Sequence, residues 1–148
     1  MCNGDRGQLC SSQRRFSVEF NLQPGVTGEK QEAVTENNTA IRYGSGEVPV
    51  YATPALVGLM EGAANRAVDP HLPEGFCTVG TSIAIEHTAA TPVGMTVTAR
   101  ARLARVEGRK LTFEVEAFDD RERVGKGTHG RFIVQIEKFM GRSQAKRG

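Results

Sequence analysis

Hydrophobic positions with a helical period are concentrated in the middle of the chain, at residues 52–67. Thr53 is suited to cap the first turn with its hydroxyl, and Pro54 fits the first helical position, where a missing N–H costs nothing. Glu61 falls at the edge of the apolar face, and the helix is predicted to end before Asp69. The apolar face consists of Leu56, Val57, Leu59, Met60, Ala63, Ala64, Ala67 and Val68. The sequence therefore predicts a largely buried helix, which needs a sheet to lie on.

Two glycines interrupt the opposite side of this helix. Gly58 and Gly62 each cost about 1 kcal/mol of helix stability relative to alanine. That cost suggests that a partner subunit or a ligand packs closely there. The simpler interpretation is a surface helix that tolerates both glycines.

Alternation of apolar and polar residues predicts strands on both sides of the helix. One strand is predicted at residues 16–22, and a short one around residues 32–34. After the helix, four strands joined by connections of hairpin length are predicted at residues 78–90, 96–106, 110–118 and 124–139. Because helices do not alternate with strands, the pattern favours an α+β fold, with a curved antiparallel sheet wrapped around the long helix.

The same alternation predicts which residues of a strand share a face. In the four later strands these sets are Thr81, Ile83, Ile85, His87 and Ala89; Val97, Ala99, Ala101 and Leu103; Leu111, Phe113, Val115 and Ala117; and Phe132, Val134 and Ile136.

Length and composition indicate one ordinary globular domain. The chain has 148 residues, of which 39% are hydrophobic and 24% charged, and its net charge is +2. We predict a disordered segment at residues 1–14, the domain at residues 15–140 and a basic tail at residues 141–148. No apolar run approaches the roughly 20 residues of a membrane helix, and no basic stripe is interleaved with aromatic residues. We therefore expect neither a membrane nor a nucleic-acid partner.

The three cysteines, Cys2, Cys10 and Cys77, indicate a reducing environment. Their spacing matches no zinc pattern, and an odd number argues against a disulfide framework. Because no zinc pattern is present, we expect no metal. Because the N-terminal residues lack an apolar signal core, we expect a cytoplasmic protein. Cys77 is interpreted as a packing residue rather than a nucleophile.

Three polar residues near the predicted helix form a candidate site. His87 is either a hydrogen-bonded core residue or, if a hydroxyl or carboxylate lies opposite, a proton-transfer group. Glu61 is either a solvated charge or a partly buried carboxylate suited to proton transfer or to activating water. Thr53 lies where backbone N–H groups and the helix dipole stabilise an oxyanion. A hydroxyl, a carboxylate and an imidazole without a metal-ligand pattern fit acyl transfer or hydrolysis.

A second candidate is the glycine-containing segment at residues 127–131. His129 and Arg131 share a face of this strand. Arg131 is suited to contact a phosphate or a neighbouring subunit, whereas the alternative is an ordinary surface edge strand.

Six motifs between Tyr51 and Phe139 resemble the fluoroacetyl-CoA thioesterase family of hotdog-fold proteins, with compatible spacing throughout. The segment that begins at His87 is the most specific of them. The motifs are Val57-Gly-Leu-Met-Glu61, Gly80-Thr81, His87-Thr-Ala-Ala-Thr-Pro92, Val106-Glu-Gly-Arg109, Gly127-Thr-His129 and Ile136-Glu-Lys-Phe139.

The resemblance implies a hotdog fold, a homodimer with active sites at its interface, and hydrolysis of an acyl-CoA thioester. It implies no metal and no cofactor besides the coenzyme A of the substrate. It places the catalytic threonine, glutamate and histidine at Thr53, Glu61 and His87. It also places a glycine near the substrate carbonyl at Gly80 and an arginine near the substrate at Arg131.

One feature departs from the family. The fluoroacetate-specific member carries a phenylalanine gate in the loop before the helix, whereas residues 45–51 contain no phenylalanine. We therefore expect a broader or different short acyl group.

Two other functions fit the same residues: hydration of an enoyl-CoA, and non-catalytic binding of an acyl-CoA or another small ligand. A purely structural module is disfavoured, because an ionisable trio is costly to retain in or near a core.

Overall fold

A five-stranded antiparallel sheet lies around one long helix in the computed structural model, which describes residues 20–148. The order of the strands in the sheet is β1-β3-β4-β5-β2, so β1 and β2 form its two edges. The strands are β1 (Thr27–Ala33), β2 (Phe76–His87), β3 (Thr96–Glu107), β4 (Lys110–Phe118) and β5 (Arg123–Gln135). The α+β architecture predicted from the sequence is confirmed.

Three α-helices accompany the sheet: α1 (Ala40–Tyr43), α2 (Thr53–Val68) and α3 (Ile136–Gln144). The predicted long helix is α2, and its predicted position is confirmed. The predicted cap is wrong, because Ala52 is the N-cap and no side chain caps the helix. Thr53 is instead the first helical residue. No helix within residues 20–148 is long and apolar enough to cross a membrane.

The core lies between α2 and the inner face of the sheet. The inner residues predicted for β3 and β4 are all buried, as are eight residues of α2. Those of α2 are Ala55, Leu56, Leu59, Met60, Ala63, Ala64, Ala67 and Val68.

The two helical glycines have different surroundings. A Cβ atom at Gly62 would lie 2.6 Å from Cδ of Lys30, so the stem of this β1 lysine packs directly on the helix. Among the residues that the structure describes, Gly58 has no such neighbour within 4 Å. The close packing predicted at the glycines is therefore found at Gly62, and it comes from the same chain.

The N-terminal part of the sheet differs from the prediction. Residues 16–19 of the predicted first strand lie outside the described residues, and residues 20–22 form no strand, although Leu22 is buried. The first strand within residues 20–148 is β1, which begins earlier than the short strand predicted around residues 32–34.

Two later boundaries also differ. β2 begins at Phe76 and ends at His87, before the predicted end of that strand at residue 90. β5 ends at Gln135, and α3 continues from Ile136, where the prediction extended the strand to residue 139. Strand alternation and helical spacing both fit the few apolar residues in this stretch, which is why the pattern misled.

A β-bulge alters the alternation of β2. Gly80 is paired with Arg131 and Ser82 with Gly130, so Thr81 has no partner in the register. The prediction that Thr81 shares the inner face is wrong, because it is exposed and its hydroxyl lies close to Gly130.

Candidate active site

The first polar pair of the site joins the start of α2 to the end of β2. Oγ1 of Thr53 lies 2.8 Å from Nδ1 of His87. Because Ala52 occupies the N-cap, the Thr53 hydroxyl is not engaged in capping and is available for this bond. A hydroxyl opposite His87 is the condition under which the sequence predicted a proton-transfer role.

The surroundings of His87 favour its neutral form. Burial lowers the pKa of His87 below its ordinary value of 6.5. Its Nε2 atom is buried and has no hydrogen-bond partner among the described residues. In a neutral imidazole one nitrogen accepts and the other donates. In the tautomer with Nδ1 unprotonated, His87 would accept a hydrogen bond from the Thr53 hydroxyl and would carry its own proton on Nε2.

A cleft of about 280 Å³ opens beside this pair. Most of its lining side chains are small, and it contains both members of the pair. The lining residues are Ala40, Ser45, Val50, Tyr51, Thr53, His87, Thr88, Ala89 and Ala90. A larger cavity of about 690 Å³ lies on the outer face of the sheet among charged side chains. It is lined by Gly127 and Thr128 of the second candidate segment, but by none of Thr53, Glu61, Gly80, His87 and Arg131.

The second polar group surrounds Glu61, in the third turn of α2. Its Oε2 lies 3.8 Å from Nη1 of Arg131, and its side chain is 41% exposed. A Cβ atom at Gly80 would lie 2.6 Å from the same Oε2. Gly80 therefore leaves the space that the Glu61 carboxylate occupies. The structure thus brings together three of the predicted residues: Glu61, Gly80 and Arg131.

Arg131 is not on a surface edge strand. β5 lies between β4 and β2, and Arg131 is 6% exposed. Its Nε donates to Oγ1 of Thr78 at 2.7 Å, and its Nη2 donates to the Thr78 carbonyl at 2.9 Å. Burial lowers the pKa of Arg131, and the charges of Asp69 and Glu61 oppose this effect. The surface alternative is therefore wrong.

The two groups do not meet within one chain. Thr53 and Glu61 are eight residues apart on α2, which corresponds to about 12 Å along the helix axis. His87 and Gly80 lie near opposite ends of β2, roughly 20 Å apart along the strand. The structure joins Thr53 to His87, and Glu61 to Gly80 and Arg131, and it separates these two groups.

Cys77 takes no part in either group. Burial raises the pKa of its thiol, and the charge of Asp69 adds to the effect, so the thiolate is disfavoured. This argues against Cys77 as a nucleophile, and its packing role stays a prediction. Within residues 20–148, no group of three or more His, Cys, Asp or Glu residues is placed to hold a metal ion.

One long helix enclosed by a five-stranded antiparallel sheet, with polar groups at the helix start and in its third turn, defines a hotdog-fold protein of the thioesterase superfamily. The chain belongs to the fluoroacetyl-CoA-specific thioesterase family, FlK, whose model matches residues 34–137.

Similar proteins agree with this assignment. The chain is 47% identical over 97 residues to a fluoroacetyl-CoA thioesterase of Streptantibioticus cattleyicolor, an alignment that covers 66% of this chain and 70% of the relative. A crystal structure of a phenylalanine-to-alanine mutant of FlK has a TM-score of 0.79 and 39% identity, and covers 86% of this chain and 99% of that one. A thioesterase superfamily member from Thermus thermophilus has a TM-score of 0.81 and 26% identity, with 87% and 96% coverage.

Proposed function

We propose that this protein hydrolyses a short acyl-CoA thioester to the free acid and coenzyme A, with Thr53, Glu61 and His87 as its catalytic residues. The observation that carries the proposal is the 2.8 Å contact between Thr53 and His87 at the start of a buried helix, beside a small cleft. Membership of the family supports the reaction class. Structures of FlK in complex with acetyl-CoA and with fluoroacetate and CoA support the substrate class.

The start of α2 suits the chemistry of thioester hydrolysis. An attacking oxygen adds to the carbonyl carbon, and the carbonyl oxygen becomes an oxyanion. The free backbone N–H groups in the first turn of α2, together with the helix dipole, stabilise that charge. Neutral His87 accepts the proton of the attacking group and returns it to the departing thiolate of coenzyme A. The proposed reaction needs no cofactor besides the coenzyme A of the substrate.

The attacking oxygen belongs to Thr53, to the Glu61 carboxylate, or to a water molecule that Glu61 activates. In the first two routes the acyl group is transferred to the side chain, as an ester on Thr53 or an anhydride on Glu61, and water then hydrolyses it. In the third route water attacks directly. Rapid-quench mass spectrometry distinguishes the routes, because only the first two add the mass of an acyl group to the protein, and fragmentation of the protein locates that group.

We further propose that a homodimer completes the site. β2 is an edge strand, and an edge strand offers unpaired backbone groups for pairing with a second copy. In a two-fold antiparallel pairing centred near Ala84, with Thr81 unpaired as it is against β5, Gly80 of one chain would lie opposite His87 of the other. The Glu61 group of each chain would then approach the Thr53–His87 pair of its partner.

The size of the cleft bears on the length of the acyl group. Its volume of about 280 Å³ and its alanine-rich lining favour a short chain. No phenylalanine lies in residues 45–51, so we propose that selection is not restricted to fluoroacetyl-CoA. The cytoplasmic location stays a prediction.

Thiol release from a panel of acetyl-, fluoroacetyl-, propionyl- and benzoyl-CoA tests the reaction. We expect release from at least one short member and its loss in the His87→Ala protein. If no member releases thiol while an enoyl-CoA loses its absorbance, the protein is a hydratase. Saturable binding without turnover would identify a binding module.

Mixing two inactive variants tests the shared site. Glu61→Ala and His87→Ala proteins are refolded together at equal concentrations, so that about half of the dimers contain one chain of each kind. If the site is shared, one of the two sites in such a dimer is intact, and about a quarter of wild-type activity returns. If both residues act within one chain, every site lacks one of them and no activity returns.

A further inference from the structure

Arg131 is a long, flexible side chain that the structure holds in one place. Of its five N–H donors, two are bonded to Thr78, through the hydroxyl and the carbonyl. A third lies on Nη1, which is 3.3 Å from Nε2 of His129. The same Nη1 faces the carboxylate of Glu61 at 3.8 Å.

The groups that hold Arg131 are themselves fixed. The Thr78 hydroxyl donates to Oδ1 of Asp69 at 2.5 Å, and the Thr78 amide donates to Oδ2 of Asp69 at 3.1 Å. Because its proton is committed to Asp69, the hydroxyl offers a lone pair to Arg131. Asp69 immediately follows α2 and so anchors the start of β2 to the end of that helix.

His129 is oriented in the same way. Its Nδ1 lies 2.7 Å from the carbonyl of Ser82. A carbonyl only accepts, so Nδ1 carries the proton and Nε2 is left as an acceptor for Arg131. His129 is 2% exposed, which keeps water from competing for this bond. Thr78, Asp69 and His129 therefore form a cradle for Arg131.

Among the described residues, such a cradle surrounds Arg131 but neither of the two cations beside it. The cleft around Glu61 is also lined by Lys30 of β1 and Arg66 of α2. Arg66 is exposed and donates to the Glu29 carbonyl, and Lys30 lies across the helix at Gly62.

We propose that Asp69, Thr78 and His129 are positioning residues, and that they fix Arg131 so that it holds the Glu61 carboxylate in its catalytic position. This inference rests on the proposed role of Glu61. It assigns to the cradle a function in turnover that is separate from its contribution to folding.

The test compares Thr78→Val with Thr78→Ser. Valine keeps the branched shape and removes the hydroxyl, whereas serine keeps the hydroxyl. We expect Thr78→Val to lower kcat about 10- to 100-fold with KM within about threefold of wild type, because a displacement of about 1 Å at a catalytic group has an effect of this size. Thr78→Ser should return kcat to within about threefold of wild type. A merely structural role would lower the melting temperature and leave kcat per folded molecule unchanged, and that result would overturn the proposal.

A second readout separates this proposal from the proposed function. Crystal structures of the wild type and of Thr78→Val give the distance between Nη1 of Arg131 and Oε2 of Glu61. If the wild type releases no thiol from any acyl-CoA, the hydrolase proposal fails. The cradle is then judged by this distance: a clear increase in Thr78→Val supports positioning, and an unchanged distance overturns it.

Discussion

A single methyl group at Gly80 should displace the carboxylate of Glu61. The Cβ atom of Gly80→Ala would lie 2.6 Å from Oε2 of Glu61 and 3.3 Å from Cε1 of His129. An ordinary contact begins near 3.4 Å, so the carboxylate must move by about 0.8 Å. The carboxylate ends a flexible side chain and is able to move. We therefore expect a cost of less than about 1 kcal/mol in the free energy of unfolding, and a fall of about 10- to 100-fold in kcat/KM.

Thiol release and urea unfolding measure the two effects. A double-mutant cycle then shows whether the loss of stability depends on Glu61. In the Glu61→Ala background the methyl group no longer meets a carboxylate, so Gly80→Ala should cost less stability there than in the wild type. Gly141→Ala is a matched control, because within residues 20–148 no atom beyond its chain neighbours and its own helix backbone lies within 4 Å of its Cβ position, and its activity should equal that of the wild type.

Two results would refute this reasoning. Wild-type kcat/KM in Gly80→Ala would mean that the position of the carboxylate does not limit turnover. An equal loss of stability in both backgrounds would mean that the methyl group meets something other than Glu61.

Three further predictions concern other parts of the chain. Removing the Thr53 hydroxyl in Thr53→Val should lower kcat/KM by about 100-fold or more, whereas Thr53→Ser should keep most of it, as measured by thiol release. Because burial lowers the pKa of His87, its protonation destabilises the folded state, and the free energy of unfolding should fall as the pH drops below 6.5. Urea unfolding at pH 7 and pH 5 should show a smaller fall for His87→Gln, and an equal fall would contradict the shift. Gly28→Ala should cost about 3 kcal/mol or more, because its Cβ would lie 2.3 Å from the carbonyl oxygen of Ala63 and 2.5 Å from the amide nitrogen of Ala67, which are backbone atoms. Thermal unfolding measures this cost, and an unchanged melting temperature would contradict it.

The sequence predicts the elements whose hydrophobic period is long and unambiguous. The long helix α2 and the strands β3 and β4 are of this kind, and their buried faces are found where the alternation places them. The start of β1 and the change from β5 to α3 rest on too few apolar residues for a period to be read. The Thr53 cap was predicted from residue preference alone, and the chain instead uses Ala52 and directs the hydroxyl to His87.

Strand alternation alone could not predict that Gly80 and Thr78 face α2, because their orientation depends on one unpaired residue. A strand has a period of two, so an extra residue at Thr81 reverses the faces of everything before it. Without the bulge, Gly80 would face outward when His87 faces inward. With it, Gly80 faces Glu61, and Thr78 is buried where it meets Arg131. The same strand therefore directs His87 toward α2 at one end, and Gly80 and Thr78 toward α2 at the other end, where Glu61 lies. An edge strand with this arrangement offers two complementary half-sites, which is what a two-fold dimer needs in order to build two whole ones.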